Sequence, residues 1–198
     1  MKKGLALFDF DGTITSKDSF IEFIKFNKGW FRYIAGMVIH LPILILYKLK
    51  LFSNQRAKEI IITHFFSHTK VEEFSAVCNA FSNYVIPKIV RPKAIQEISK
   101  LKELGFRIII VSASPLNWIK QWADENNIEL IASCLETNEG KITGRLTGKN
   151  CHGIEKVRRI KESIDLNEYR EVYAYGDTSG DLHMLELAHK KYYKPFRD

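Results

Sequence analysis

Cysteine is scarce in this chain. Three occur in 198 residues, Cys78, Cys134 and Cys151. They form no C-x-x-C pair, and the odd count argues against a disulfide framework, so a reducing, cytoplasmic setting is the simplest expectation. A secretory leader is not expected either. Behind Met1-Lys2-Lys3 the apolar run covers only Gly4–Phe8 before Asp9 interrupts it, too short for a signal-peptide core. Repeats and low-complexity tracts are absent. With 45% hydrophobic and 27% charged residues, a mainly disordered chain is excluded. The most telling absence is of acid. Between Glu22 and Glu59 there is no Asp or Glu, while Lys25, Lys28, Arg32, Lys48, Lys50, Arg56 and Lys58 all fall there. These seven cations account for the whole net charge of +7. One segment therefore supplies whatever needs a basic surface. An anionic membrane met through residues 25–58 is one candidate partner, and nucleic acid is not expected.

What is present alternates. Gly4–Phe10 suits a buried parallel strand, because both of its faces are apolar. Residues 17–90 have apolar positions three and four apart and read as helical, with starts at Ser53-Asn54 and Thr69. Pro92–Leu104 reads as a helix closed by Gly105, and Phe106–Val111 as a β-branched strand. Ser114-Pro115 looks like an N-cap and first helical residue. Ile128–Leu135 is expected as a strand, turned by Asn138-Glu139-Gly140 into a hairpin with Lys141–Leu146. A helix over Gly153–Ser163, a strand over Glu171–Tyr175, a helix over Asp181–His189 and an edge strand over Lys191–Tyr193 complete the chain. The economical fold is α/β: a Rossmann-like, doubly wound parallel sheet with a helical block inserted after its first strand.

In such sheets ligands collect at the carboxyl ends of the strands. Here those ends carry Asp9-Phe10-Asp11-Gly12-Thr13, then Ser112-Ala113-Ser114, and Gly176-Asp177-Thr178-Ser179-Gly180-Asp181, while Lys156 opens the helix after the hairpin. Carboxylates converging on one crevice repel unless a cation lies among them, and all-oxygen donors suit a hard ion such as Mg²⁺. Ser112, Lys156 and the backbone N–H groups of Gly12 and Ala113 could hold a tetrahedral anion. A calcium loop at Asp9 is rejected, since its sixth and twelfth positions would be Ile14 and Phe20. His64 and His68, four apart, lack the Glu of a zinc-protease motif and read as an exposed face. Cys151-His152 reads as local structure, and Thr13 and Asn150 as polar support.

The four motifs, in this order, resemble the haloacid dehalogenase (HAD) superfamily. Asp9-x-Asp11-Gly12-Thr13 matches its first motif, Ser112 its second, Lys156 its third and Gly176-Asp177-x-x-x-Asp181 its fourth. The string Gly144-Arg145-x-x-Gly148-x-Asn150-Cys151-x-Gly153-x-Glu155-Lys156 is similar to the subfamily, IB, that includes phosphoserine phosphatase. The resemblance implies a HAD core over 1–14 and 91–198, with a helical (C1-type) cap over 15–90. It implies Asp9 as nucleophile forming an aspartyl-phosphate, and Asp11 as general acid and base. It implies phosphate binding by Gly12, Ser112, Ala113 and Lys156. Mg²⁺ would sit on Asp9, the Asp11 carbonyl and Asp177, supported by Thr13 and Asp181. The substrate is expected to be a phosphorylated small molecule or a lipid phosphate. Some members of the subfamily act on phosphatidylglycerophosphate. A phosphoserine-like metabolite and a non-catalytic basic binding module remain as alternatives.

Tyr33–Tyr47 contains 15 uncharged residues in a row. As one helix it would be ~22 Å long, short of a ~30 Å hydrocarbon core, and His40 and Pro42 weaken a spanning reading. Two readings stand: a helix packed inside the cap, or a surface-lying or re-entrant membrane segment. Basic flanks and Trp30, Phe31, Tyr33 and Tyr47 near its ends favour the second. The location expected is cytoplasmic, with the inner membrane face as its extension.

Overall fold

A computed structural model describes residues 2–197. Its strands are β1 (Lys2–Phe8), β2 (Phe106–Pro115), β3 (Glu129–Ser133), β4 (Leu135–Asn138), β5 (Lys141–Leu146), β6 (Tyr169–Gly176) and β7 (Lys190–Tyr193). Five of them make one sheet in the order β3-β2-β1-β6-β7, with every neighbouring pair parallel. Strands β4 and β5 form a separate antiparallel hairpin. The pleat sorts side chains by parity. Leu5, Leu7, Ile109, Val111, Val172 and Ala174 face one hydrophobic cluster. Ala6, Phe8, Ile108, Ile110, Tyr173 and Tyr175 face the other. Because both faces are covered, the central stretches of the inner strands, residues 5–8, 108–111 and 172–175, are apolar on both sides.

The block between β1 and the second strand begins with six helices: α1 (Ser19–Lys28), α2 (Trp30–Ile39), α3 (Leu41–Lys48), α4 (Asn54–Phe66), α5 (Val71–Tyr84) and α6 (Ile86–Ile89). Helix α7 (Pro92–Glu103) follows, and α8 (Leu116–Glu125), α9 (Ile154–Ser163) and α10 (Leu182–Leu185) belong to the sheet's later crossovers. Asp18 caps α1 by accepting from the Ile21 N–H at 3.1 Å, and Ser53 caps α4 through the Arg56 N–H at 3.2 Å. The inserted helices are joined to the sheet by aromatic packing. Phe23 stacks on Trp118 of α8 at 4.6 Å and meets Phe66, Phe74 and Phe81 at 5.2–5.5 Å. One hydrophobic cluster therefore runs from the sheet face into the helical block. The β4–β5 hairpin is hydrogen-bonded to the same block: His68 N–H to Ile142 C=O, Val71 N–H to Gly140 C=O and Ile142 N–H to Thr69 C=O, each 2.9 Å.

Several local expectations are corrected. Strand β2 continues through Pro115, so α8 begins at Leu116 and Ser114 is no helix cap. Its hydroxyl is taken by Asp11 at 2.6 Å. Strand β3 stops at Ser133, whose hydroxyl binds Asn150 (2.8 Å) and Cys151 N–H (2.9 Å), and Leu135 already belongs to the hairpin. The helix expected over Asp181–His189 ends at Leu185. His189 is drawn to the β6 edge, its N–H to Val172 C=O at 2.8 Å and its Nδ1 accepting from Val172 N–H at 2.9 Å. Helix α4 ends at Phe66, which leaves His68 outside it, and α5 starts at Val71 rather than Thr69. The apolar stretch is two helices bent by 61° at His40, not one.

Phe23→Ala should cost about 3–5 kcal/mol in urea unfolding, since it empties the junction of four aromatic rings. Phe31→Ala, at a site 89% exposed, should stay within about 0.5 kcal/mol.

Candidate active site

The sheet order reverses about β1: the chain moves outward through β2 and β3, then returns to β6 on the other side. The carboxyl ends of β1 and β6 thus form the switch-point crevice of the fold. Asp9 follows β1 and anchors there by its N–H to Tyr175 C=O at 2.9 Å. The chain then makes a tight turn over Phe10–Ile14, closed by Thr15 N–H to Phe10 C=O at 3.0 Å. Gly12 takes φ +84° in that turn, and a Cβ there would collide with the Asp177 carboxylate. Both demands select glycine.

Lys156 lies at the centre. Its ammonium is 1% exposed and donates to Asp9 Oδ1 at 2.6 Å and to Asp181 Oδ1 at 2.7 Å. Burial works against its charge, yet the two carboxylates hold it above the ordinary lysine value. Asp181 is likewise opposed by burial, but Lys156 and the Thr178 N–H and hydroxyl hold it below the ordinary carboxylate value. Asp9 goes the other way. Burial pushes its carboxyl up to about 7, because the one ammonium beside it is shared. Asp177 is also raised by burial and by Asp181, against Arg197, which donates to its Oδ2 at 2.5 Å. Thr13 Oγ1 donates to Asp9 Oδ2 at 3.1 Å and reaches Asp177 Oδ1 at 3.4 Å.

Asp11 is held apart from this group. Its Oδ1 accepts from Ser19 N–H at 2.6 Å and its Oδ2 from Ser114 Oγ at 2.6 Å. Ser19 Oγ in turn accepts from Trp118 Nε1 at 3.1 Å, which fixes it from α8. Two carboxylates two residues apart thus have different surroundings, one against a buried lysine and one against hydroxyl and amide donors. Asp9, Asp177 and Asp181 each bring an oxygen within 4.8 Å of the others. Hard oxygen donors so close fit a divalent cation. The Asp11 side chain is committed elsewhere.

A cavity of about 470 Å³ opens over these groups. Asp9, Asp11, Ala113, Lys156 and Asp181 line its floor. Ser112 is fully buried below it, its hydroxyl accepting from Ser114 N–H at 3.0 Å. Gly12 N–H points weakly to Thr15 Oγ1 at 3.3 Å. Asn150 supports the loop before α9 instead of the floor, holding Asn54 through its amide at 2.5 Å. His152 lines the cavity, although the dipeptide Cys151-His152 reads as local structure.

Three functional candidates escape the sequence reading. Ser114 carries a signal that points to a helix cap. Lys58 of α4 reaches the cavity, where its Nζ donates to Ala113 C=O at 3.0 Å, and burial pushes its ammonium below the usual lysine range. Its only sequence signal is membership of the acid-free stretch. Arg197 has none.

An α/β crevice with paired aspartates on one strand end and a lysine-bridged carboxylate cluster beside it points to a hydrolase. The haloacid dehalogenase-like hydrolase family model matches residues 6–186, and the chain belongs to that family. It is 35% identical over 199 aligned positions to "Protein CicA" of Caulobacter vibrioides, covering 98% of this chain and 86% of that protein. A Bordetella pertussis Tohama I protein of unknown function shares the fold at TM-score 0.81 and 22% identity, over 95% and 88% of the two chains. A phosphoserine phosphohydrolase-like protein of Francisella tularensis aligns at TM-score 0.69 and 23% identity, over 98% and 86%.

The raised Asp9 carboxyl gives a pH test in cation-free buffer. A group whose folded pKa lies above its unfolded value of 3.8 binds more protons when folded, so its contribution to stability is lost as pH rises from about 4 through 7. Asp9→Asn should therefore gain stability over the parent across that window, and the gain should vanish near pH 4, measured by urea unfolding at stepped pH.

Proposed function

We propose that this chain is a Mg²⁺-dependent phosphatase that hydrolyses a phosphate monoester through an aspartyl-phosphate on Asp9. The observation that supports it most is the division of labour between two carboxylates on one strand end. Asp9 lies against Lys156, and Asp11 against Ser114 and Ser19. Environments that differ in this way separate a nucleophile from an acid–base group.

An Asp9 oxygen attacks phosphorus in line, the ester P–O bond breaks, and the leaving oxygen takes its proton from Asp11. Water then attacks the aspartyl-phosphate, giving its proton to Asp11 and releasing orthophosphate with Asp9 restored. Lys156 meets the negative charge of the transferring group, with Ser112 and the Gly12 and Ala113 backbone as its further cradle. Thr13 and Asp181 hold Asp9 and Lys156 in place. Mg²⁺ would be held by Asp9, the Asp11 carbonyl and Asp177, and would offset charge between nucleophile and phosphoryl oxygens. Residues 15–90 act as the cap over this centre, on a core of 1–14 and 91–198.

The substrate class we favour is a lipid phosphate such as phosphatidylglycerophosphate. Beyond the polar floor the cavity wall is Ile21, Ile24, Met37, Leu44 and Ile61, a surface that suits an acyl chain. Peripheral contact of residues 25–58 with an anionic membrane belongs to the same reading, in the cytoplasm at the inner membrane face. One observation supports a second reading, a small polar ester of the phosphoserine kind. Asp18, Asn54 and Lys58 stand at the same cavity and offer charge and hydrogen bonds to a polar leaving group.

Phosphate release from phosphoserine, a lysophospholipid phosphate and phosphatidylglycerophosphate, with Mg²⁺ and with EDTA, tests these readings. Turnover should require Mg²⁺, and Asp9→Asn should fall to background while its circular dichroism is unchanged. Near-normal hydrolysis by that variant would reject the Asp9 assignment. Faster turnover of phosphoserine than of either lipid would decide for the polar substrate.

A further inference from the structure

Helices α2 and α3 carry an apolar surface that the rest of the chain leaves open. Of the 17 exposed large hydrophobic residues among the described residues, 12 fall from Phe26 to Leu51, so the exposure is concentrated, not scattered. Phe31 is 89% exposed, Leu51 72%, Val38 64% and Leu49 62%. In α3 no residue is buried, and in α2 only Gly36 is. Gly36 is the point where α2 rests on α4: a Cβ there would strike Phe65 and His64. Contiguous apolar surface on this scale marks a contact face.

Its chemistry restricts what can cover it. Arg32, Lys48, Lys50 and Arg56 are exposed around the face, and no acidic residue lies between Glu22 and Glu59. A second copy of the chain would press like charges together across the contact. The complementary occupant is apolar inside and anionic at its boundary. The two helices have 10 and 8 residues and bend by 61°. Each is too short to span a bilayer, about 15 and 12 Å against about 30 Å. Among the described residues no single helix is long and apolar enough to cross. A short, bent, basic-flanked pair fits the plane of the interface instead. Trp30, 58% exposed, stands at one end of the pair, as expected of a headgroup-level ring.

We infer that the outer face of α2 and α3, continued to Leu51, docks on an anionic bilayer, and that this docking sets the active-site mouth at the lipid headgroups. The second part follows from the inner face of the same helices. Met37, Leu44 and Tyr47 line the catalytic cavity, and Asn54 of α4 ties Tyr47 in place through its hydroxyl at 2.9 Å. One pair of helices thus presents one side to the membrane and the other to the substrate. Docking rests on this surface alone, whereas delivery of a lipid phosphate rests on the proposed function.

Flotation of the full chain with vesicles of about 30% phosphatidylglycerol in phosphatidylcholine, in cation-free buffer at about 0.1 M and 0.5 M salt, tests the surface. The parent and Asp9→Asn should float equally at low salt, and binding should fall at high salt and on pure phosphatidylcholine. Phe31→Ser with Val38→Ser and Leu51→Ser, and separately Lys48→Glu with Lys50→Glu, should each lower the bound fraction roughly tenfold. Both variants change exposed positions and should keep the parent's thermal midpoint. Failure of the parent to float, undiminished flotation of both variants, or a parent dimer in light scattering that the serine variant dissolves would overturn the inference. Flotation without hydrolysis of any lipid phosphate would uphold docking and remove the lipid substrate.

Discussion

A lysine side chain sealed from water and shared between two aspartates is the constraint on which this molecule turns. Lys156 comes from α9, Asp9 from the end of β1, 147 residues away, and Asp181 from the loop after β6. Burying an ammonium alone would be prohibitive, and so would gathering the carboxylates without it. Each makes the other tolerable, and neither arrangement exists until the parallel sheet has placed the ends of β1 and β6 side by side. Folding and assembly of this charged cluster are therefore one event. The half-share of one positive charge also leaves Asp9 poorly compensated, a tension that a divalent cation between Asp9 and Asp177 is suited to relieve.

Much of this is legible in the residues. The parallel strands announce themselves because both faces are buried, so Phe106–Val111 and Glu171–Tyr175 read as apolar runs of strand length. Asp9, Asp11, Lys156, Asp177 and Asp181 are legible as a set because four weak motifs occur in one order. What is hidden is hidden for physical reasons. Ser114 before Pro115 has the local chemistry of a helix cap, and only the arrival of Asp11 from 103 residues away reassigns its hydroxyl. Lys58 is indistinguishable from any helical lysine until α4 is laid across the β2 end. His189 abandons a helix because Val172 offers it both halves of a strand-edge pairing.

The apolar stretch at 33–47 marks the clearest limit. Composition is the same for a helix inside a cap and for one lying on a surface, and helical period does not separate them. The bend at His40 and the close seat of Gly36 on α4 decide which side chains turn inward, and these depend on tertiary contacts. His40 meets His64 edge to face at 4.7 Å at that bend. The result is a two-sided element, with Tyr33 and Leu44 against the main cluster and Phe31 and Val38 in the open.

The aromatic junction at Phe23 has a bearing on how ligands enter. It is continuous with the sheet's own interior, and the β4–β5 hairpin is stitched by backbone bonds to the helices above it. Swinging the whole inserted block away as a lid would unzip that interior and strip the hairpin at once. The α2–α3 elbow is bound far more lightly, with Gly36 alone buried in α2 and no residue buried in α3, so that interior holds whether or not the elbow is seated.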